Sequence, residues 1–134
     1  MPGEIEFDTR IFSGKNFLIV DDTEINLVLL DSIFKKWGVT ADKARDGAQA
    51  FRLFGEKAYD MVLSDVYMPE MDGIELTHRI RKSGKAGRDN IPVIILTANI
   101  VQDEIEKFQL AGVTDYLMKP FHAKDLYSIV SKNL

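Results

Sequence analysis

The chain has 134 residues, of which 46% are hydrophobic, 10% aromatic and 28% charged, a balance that calls for one globular domain with a buried core and excludes pervasive disorder. Seventeen Lys and Arg against 21 Asp and Glu leave a net charge of −4, which disfavours direct nucleic-acid binding by counterion release. The absence of cysteine excludes a disulfide framework, a thiolate zinc site and a cysteine nucleophile.

Residues 1–14 read as an acidic, structureless lead, an N-terminal extension or linker remnant, and residues 15–134 as the folded domain. After the turn Ser13-Gly14-Lys15-Asn16, the run Phe17-Leu18-Ile19-Val20 predicts a fully apolar strand that stops at Asp21-Asp22. Ile25, Leu29, Ile33 and Trp37 recur every four residues and predict an amphipathic helix ended by Gly38. Residues 39–44 form a weaker strand, and Ala48, Phe51 and Phe54 mark a second helix beginning after Asp46-Gly47. Met61-Val62-Leu63-Ser64 is a third strand, and Asp72-Gly73 opens a third helix that runs to about Lys82. The polar run Ser83-Gly84-Lys85-Ala86-Gly87-Arg88-Asp89-Asn90 reads as a surface loop, followed by a β-branched strand over residues 92–96. Val101, Ile105 and Phe108 pace a fourth helix terminated by Gly112. Asp115-Tyr116-Leu117-Met118 is a fifth strand, and Leu126, Ile129 and Val130 mark the last helix.

Apolar strands alternating with helices require a parallel sheet covered on both faces, so the expected fold class is α/β, doubly wound, with five strands. No apolar run approaches the ~20 residues of a bilayer span, so no membrane contact is expected. The acidic N-terminus lacks the order of a secretory signal, which places the chain in the cytoplasm, or in the cytoplasmic part of a larger membrane-bound protein.

In such sheets the ligand site lies beyond the carboxyl ends of the strands. There the sequence places Asp21 and Asp22 after the first strand, Asp65 after the third, Thr97 after the fourth and Lys119-Pro120 after the fifth. Three converging carboxylates repel, and the remedies are a raised pKa or a bound hard cation; oxygen-only ligands favour Mg²⁺. Magnesium shares its coordination readily with phosphate, Lys119 and Thr97 suit phosphoryl oxygens, and Asp65 is positioned as a nucleophile that forms an aspartyl-phosphate.

Each of these features has an ordinary reading as well. Taken alone, Asp21-Asp22 fits a helix N-cap, Thr97 a loop hydroxyl, Lys119 a solvated cation and Tyr116 a core aromatic. Asn26 reads as exposed helix polarity, His78 and His122 as surface or loop residues, and Gln102, Asp103, Glu104 and Glu106 as a solvated face.

Together, Val20-Asp21-Asp22, Ser64-Asp65-Val66-Tyr67-Met68-Pro69-Glu70-Met71-Asp72-Gly73, Leu96-Thr97-Ala98 and Asp115-Tyr116-Leu117-Met118-Lys119-Pro120-Phe121 resemble the receiver domain of two-component response regulators. The resemblance covers residues 15–134 and implies a flavodoxin-like strand order 2-1-3-4-5. It implies that Asp65 accepts a phosphoryl group from a phosphohistidine on a histidine kinase or histidine phosphotransfer protein. It further implies Mg²⁺ as cofactor, with Asp21, Asp22, Asp65 and the backbone carbonyl of Tyr67 as the metal site. Thr97 and Lys119 match the groups on the phosphoryl oxygens, Thr97 and Tyr116 the switch pair, and Pro120 a cis bond after Lys119. The output is then a changed surface on the fourth helix, fifth strand and fifth helix, regulating a downstream protein or the kinase's own domains, and dimerisation on phosphorylation stays open. Such a chain is no conventional turnover enzyme, but promotes its own phosphorylation and dephosphorylation. Tyr67 and Asn99 match positions that tune dephosphorylation, and a bulky Tyr67 predicts a longer-lived phosphoform.

The rival readings are an aspartate-nucleophile phosphohydrolase, which carries a second Asp where Tyr67 stands here, and a pseudo-receiver that interacts without phosphorylation. A flavin module of the same fold lacks support, since no Gly/Ser/Thr-rich phosphate loop follows the first strand. With no effector domain after Leu134, the chain reads as a stand-alone receiver or as the receiver portion of a hybrid kinase.

Overall fold

The structure is a computed structural model and describes residues 7–84, 89–98 and 100–134. Five parallel strands, β1 (Asn16–Val20), β2 (Thr40–Ala44), β3 (Met61–Asp65), β4 (Val93–Thr97) and β5 (Asp115–Met118), form one sheet in the order β2-β1-β3-β4-β5. Between and after them run α1 (Glu24–Lys36), α2 (Gly47–Glu56), α3 (Gly73–Arg81), α4 (Gln102–Ala111) and α5 (Ala123–Asn133). This is the doubly wound five-stranded fold expected from the sequence. Residues 85–88 of the expected surface loop lie outside the described residues.

The inner strands are apolar over residues 17–20, 61–63 and 93–96, and their side chains sort by parity into two cores. Leu18, Val20, Val62, Val93 and Ile95 pack with Phe54, Leu76, Ile80 and Phe108 of α2, α3 and α4. Phe17, Ile19, Met61, Leu63, Ile94 and Leu96 pack with Leu27, Leu30, Phe34, Leu126 and Val130 of α1 and α5. The edge strands β2 and β5 are partly exposed, as an edge covered by fewer helices must be.

Helix starts follow their caps: Asp46 accepts the Gln49 N–H and Asp72 accepts the Glu75 N–H, each satisfying a donor that the first turn leaves without a partner. Gly112 ends α4 at φ 92°, the left-handed conformation that glycine adopts without a Cβ penalty.

Four expectations need correction. First, the stripe of α1 that faces the sheet is Leu27, Leu30, Phe34 and Trp37, whereas Ile25 and Leu29 are 65% and 57% exposed. Because α1 is apolar on nearly all sides, a four-residue repeat cannot select the buried stripe. Second, α2 begins at Gly47 rather than after it, with Ala48, Phe51 and Phe54 inside the helix as expected and Ala50 and Phe54 in the core. Third, Val101 is the N-cap of α4 and is exposed; Phe108 and Ala111 carry the helix's burial. Fourth, the lead is not structureless over its described residues. Arg10–Phe12 form a 3₁₀ turn, Phe12 is fully buried, and Phe7 stacks on Tyr127 at 4.7 Å between ring centroids and meets Trp37 edge-on at 5.7 Å. The Tyr127 hydroxyl donates to the Asp8 carbonyl at 2.9 Å, tying this segment to α5.

Candidate functional site

All strands point the same way, so their carboxyl ends share one rim. Residues after β1, at the end of β3, at the end of β4 and after β5 meet there because β3 lies between β1 and β4, and β5 flanks β4. One carboxylate oxygen from each of Asp21, Asp22 and Asp65 lies within 4.8 Å of the others. Three oxygen donors at that spacing suit a hard divalent cation, which keeps several waters and takes few protein ligands.

The three acids sit in different surroundings. Asp21 is 1% exposed and fully engaged: Oδ1 accepts the Thr23 N–H at 2.9 Å, while Oδ2 accepts Asn26 Nδ2 at 3.1 Å and Lys119 Nζ at 3.3 Å. Asp22 is exposed at the mouth of the cleft. Asp65 is half-buried; its Oδ1 accepts the Val66 N–H at 2.9 Å and lies 3.7 Å from Lys119 Nζ. Burial pushes the Asp65 carboxyl above the usual carboxylate range, and Asp21 and Asp22 add to that, while Lys119 and the Val66 N–H pull it back. A carboxylate so placed gains from a cation or an ammonium beside it.

Lys119 follows β5, and the Lys119–Pro120 peptide bond is cis. The Lys119 N–H donates to the Thr97 carbonyl at 2.7 Å, which joins the loop after β5 to the end of β4. Thr97 is fully buried. Tyr116 is half-buried with its ring 5.8 Å from that of Phe108 on α4, so it is a core aromatic on the α4 side. The backbone that follows Asp65 is held closely: the Gly73 N–H donates to the Val66 carbonyl at 2.8 Å, and a Cβ added at Gly73 would stand 2.3 Å from the Asp65 carbonyl oxygen. Only glycine fits there.

The structure thus brings Asp21, Asp22, Asp65 and Lys119 together, with Thr97 at the neighbouring strand end and Tyr67 on the loop two residues past Asp65. Asn99 lies outside the described residues. Two contacts escaped the sequence. Asn26 orients Asp21; its position within α1, five residues on from Asp21, was the available signal. Glu104 accepts a hydrogen bond from the Tyr67 hydroxyl, a pairing across 37 residues that no local pattern announces. His122 is the exposed N-cap residue of α5, and His78 lies on α3.

Comparison with known proteins agrees with this architecture. The sequence model of the response regulator receiver domain matches residues 17–131. A probable histidine kinase of Oryza sativa subsp. japonica is 33% identical over 90% of this chain and 14% of its own length. The regulator of RpoS of Escherichia coli is 38% identical over 88% of this chain and 33% of its own length. Among solved structures, the receiver domain of a Pseudomonas aeruginosa sensor histidine kinase, with a magnesium ion coordinated in its active site cleft, is similar at a TM-score of 0.81 and 32% identity. That likeness covers 90% of this chain and 98% of the other. The chain belongs to the response regulator receiver domain family of two-component systems. It spans about a seventh of the length of the plant kinases it matches. Among the described residues no helix is long and apolar enough to cross a membrane.

Proposed function

We propose that Asp65 is the phosphoacceptor of a Mg²⁺-dependent switch, taking its phosphoryl group from the phosphohistidine of a histidine kinase or histidine phosphotransfer protein. The observation that carries this reading is the Lys119 ammonium, 3.7 Å from an Asp65 carboxylate oxygen beside two further acids. An Asp65 oxygen attacks phosphorus, the phosphorus–nitrogen bond of the donor breaks, and the imidazole leaves with the electron pair. Asp21, Asp22, Asp65 and the Tyr67 carbonyl are the groups to hold Mg²⁺, which when bound neutralises charge on the transferring phosphoryl oxygens. Lys119 neutralises another oxygen as a point charge, Thr97 donates a hydroxyl, and Asp21 is held in place by the Thr23, Asn26 and Lys119 donors.

The donor's route of approach follows from exposed apolar surface. Ile25 and Leu29 on α1 are unburied, and a groove of about 540 Å³ lined by Leu29, Ile33, Ala98, Pro120 and Phe121 opens beside Asp21 and Lys119. Apolar surface of this kind next to a reactive carboxylate suits a protein donor. Phosphorylation then shifts a two-state equilibrium through Thr97 and Tyr116, and Tyr116 already touches α4, so the output surface is α4, β5 and α5.

A phosphohydrolase would need an acid two residues past the nucleophile. Tyr67 stands there, and its hydrogen bond to Glu104 raises the phenol above its ordinary pKa, making it a poorer acid. The experiment is intact mass after incubation with Mg²⁺ and a small acyl-phosphate donor. One phosphoryl addition per chain, lost without metal and in Asp65→Asn, is expected; no addition under any condition would leave an interaction module that works unmodified.

A further inference from the structure

The described lead is fastened to two helices at once. Phe12 is fully buried and stacks on Trp37, the C-cap of α1, at 5.3 Å between ring centroids. Phe7 lies against Trp37 and against Tyr127, one turn into α5, and the Tyr127 hydroxyl holds the Asp8 carbonyl. Trp37 and Tyr127 themselves meet edge-on at 5.7 Å. This aromatic cluster sits at the end of the sheet where the strands begin, opposite the acidic cleft. At the cleft the same two helices are joined in another way. Lys119, which leads into α5, donates to Asp21 Oδ2 at 3.3 Å, and Asn26 of α1 donates to the same oxygen at 3.1 Å. Between these two ties lies the groove of about 540 Å³, walled by Leu29 and Ile33 on one side and Pro120 and Phe121 on the other. Packing of α1 against the connection from β5 to α5 is therefore incomplete there, and the ties at either end set the spacing.

We infer that residues 7–12 are a clasp on the α1–α5 pair whose closure is coupled to the Asp65 cleft: when Lys119 turns from Asp21 to a phosphoryl group on Asp65, the clasp opens more readily and the lead becomes an output of the switch. This rests on the reading of Asp65 as acceptor. Two ties on one pair of elements support each other, because each holds the pair at the spacing the other needs. Loss of one lowers the cost of opening the other. The coupling is reciprocal, so a pull on the chain ahead of Phe7 that lifts the clasp also loosens Lys119 from Asp21.

The test is hydrogen exchange at the Phe12 and Ser13 amides, which donate to the Thr9 and Arg10 carbonyls and are freed when the lead lets go. Tyr127→Phe deletes the hydroxyl that holds Asp8 and should speed their exchange about threefold to tenfold, the range spanned by the net worth of one hydrogen bond. Lys119→Met removes the tie at the cleft with no phosphorylation needed. It should speed the same amides about fivefold or more, the lower end of typical coupling between sites, and so should phosphorylation of the parent chain with Mg²⁺ and a small acyl-phosphate donor. Parent-like exchange in either variant would overturn the inference, as would lead amides that exchange only together with those of β3, since opening is then global. Lead amides indifferent to a phosphoryl group that mass shows to be present would also overturn it, while leaving Asp65 as acceptor. No uptake by the parent chain would overturn the acceptor reading and the output role with it, and Lys119→Met would still decide whether the two ties are coupled.

Discussion

Removing the Lys119 ammonium should make the cleft bind a divalent cation more tightly and accept a phosphoryl group less well. Its Nζ stands 3.3 Å from Asp21 Oδ2 and 3.7 Å from Asp65 Oδ1, attractions of about 5 and about 4.5 kcal/mol at an effective dielectric constant near 20. With oxygens within 4.8 Å, Asp21 and Asp65 repel by at least about 3.5 kcal/mol on the same scale, and the pairs that include exposed Asp22 repel by less. Attraction and repulsion are thus of similar size, and Lys119 occupies the electrostatic place of part of a cation. Lys119→Met keeps the stem and deletes the charge. Asp65 can take up a proton and Asp21 keeps Thr23 and Asn26, so the measured loss in metal-free buffer should be about 2–4 kcal/mol, well below the Coulomb sum. With about 2.1 cal/mol/K of unfolding entropy per residue, that is a fall in Tm of roughly 7–14 °C. Scanning calorimetry over a Mg²⁺ titration should show a larger Mg²⁺-induced rise in the variant than in the parent, while phosphoryl uptake by the variant falls. A variant whose Tm responds to Mg²⁺ less than the parent's would refute the reasoning.

Three further outcomes follow from the packing. Phe34→Ala removes a fully buried ring that meets Phe17 and Trp37 and should cost about 3–5 kcal/mol, whereas Leu29→Ala should cost under about 0.5 kcal/mol; equal losses in urea unfolding would contradict the buried stripe assigned to α1. Gly73→Ala should lower both stability and phosphoryl uptake, since its Cβ collides with the Asp65 carbonyl; parent-like uptake would show that the loop yields freely. Burial tends to raise the Asp42 carboxyl, but hydrogen bonds from Lys57 and Tyr59 outweigh it and hold the group below its usual range. The unfolded chain therefore binds the extra proton, so Asp42 stabilises fully above about pH 4 and loses that effect as pH falls through its lowered folded value. Asp42→Asn should cost about 1–2 kcal/mol at neutral pH, with the gap to the parent closing in acid; a gap that is independent of pH would contradict this.

The rim of the sheet was open to sequence reasoning because β1, β3, β4 and β5 each carry a short apolar run, and such a run leaves polar residues at a defined end. Asp21, Thr97 and Lys119 declare themselves this way, and Asp65 does so one residue after Ser64. The same uniformity hid which face each strand residue serves, since Leu18 and Ile19 are equally apolar yet enter different cores. It also hid the buried stripe of α1, where apolar residues line the exposed side as well. Ile25 and Leu29 were legible as apolar positions but not as surface. Phe7 and Phe12 were overlooked because acidic and polar neighbours dilute them, although Trp37 and Tyr127 supply the aromatic partners that order them. The Tyr67–Glu104 bond depends on how α4 settles over the loop after β3, which only the assembled sheet determines.

The account turns on which carboxylate carries the phosphoryl group. Reduction of the phosphorylated protein with borohydride, followed by peptide mass mapping, converts the acyl-phosphate residue alone to homoserine. Conversion confined to Asp65 is the predicted result; conversion at Asp21 or Asp22, with Asp65 untouched, would contradict it.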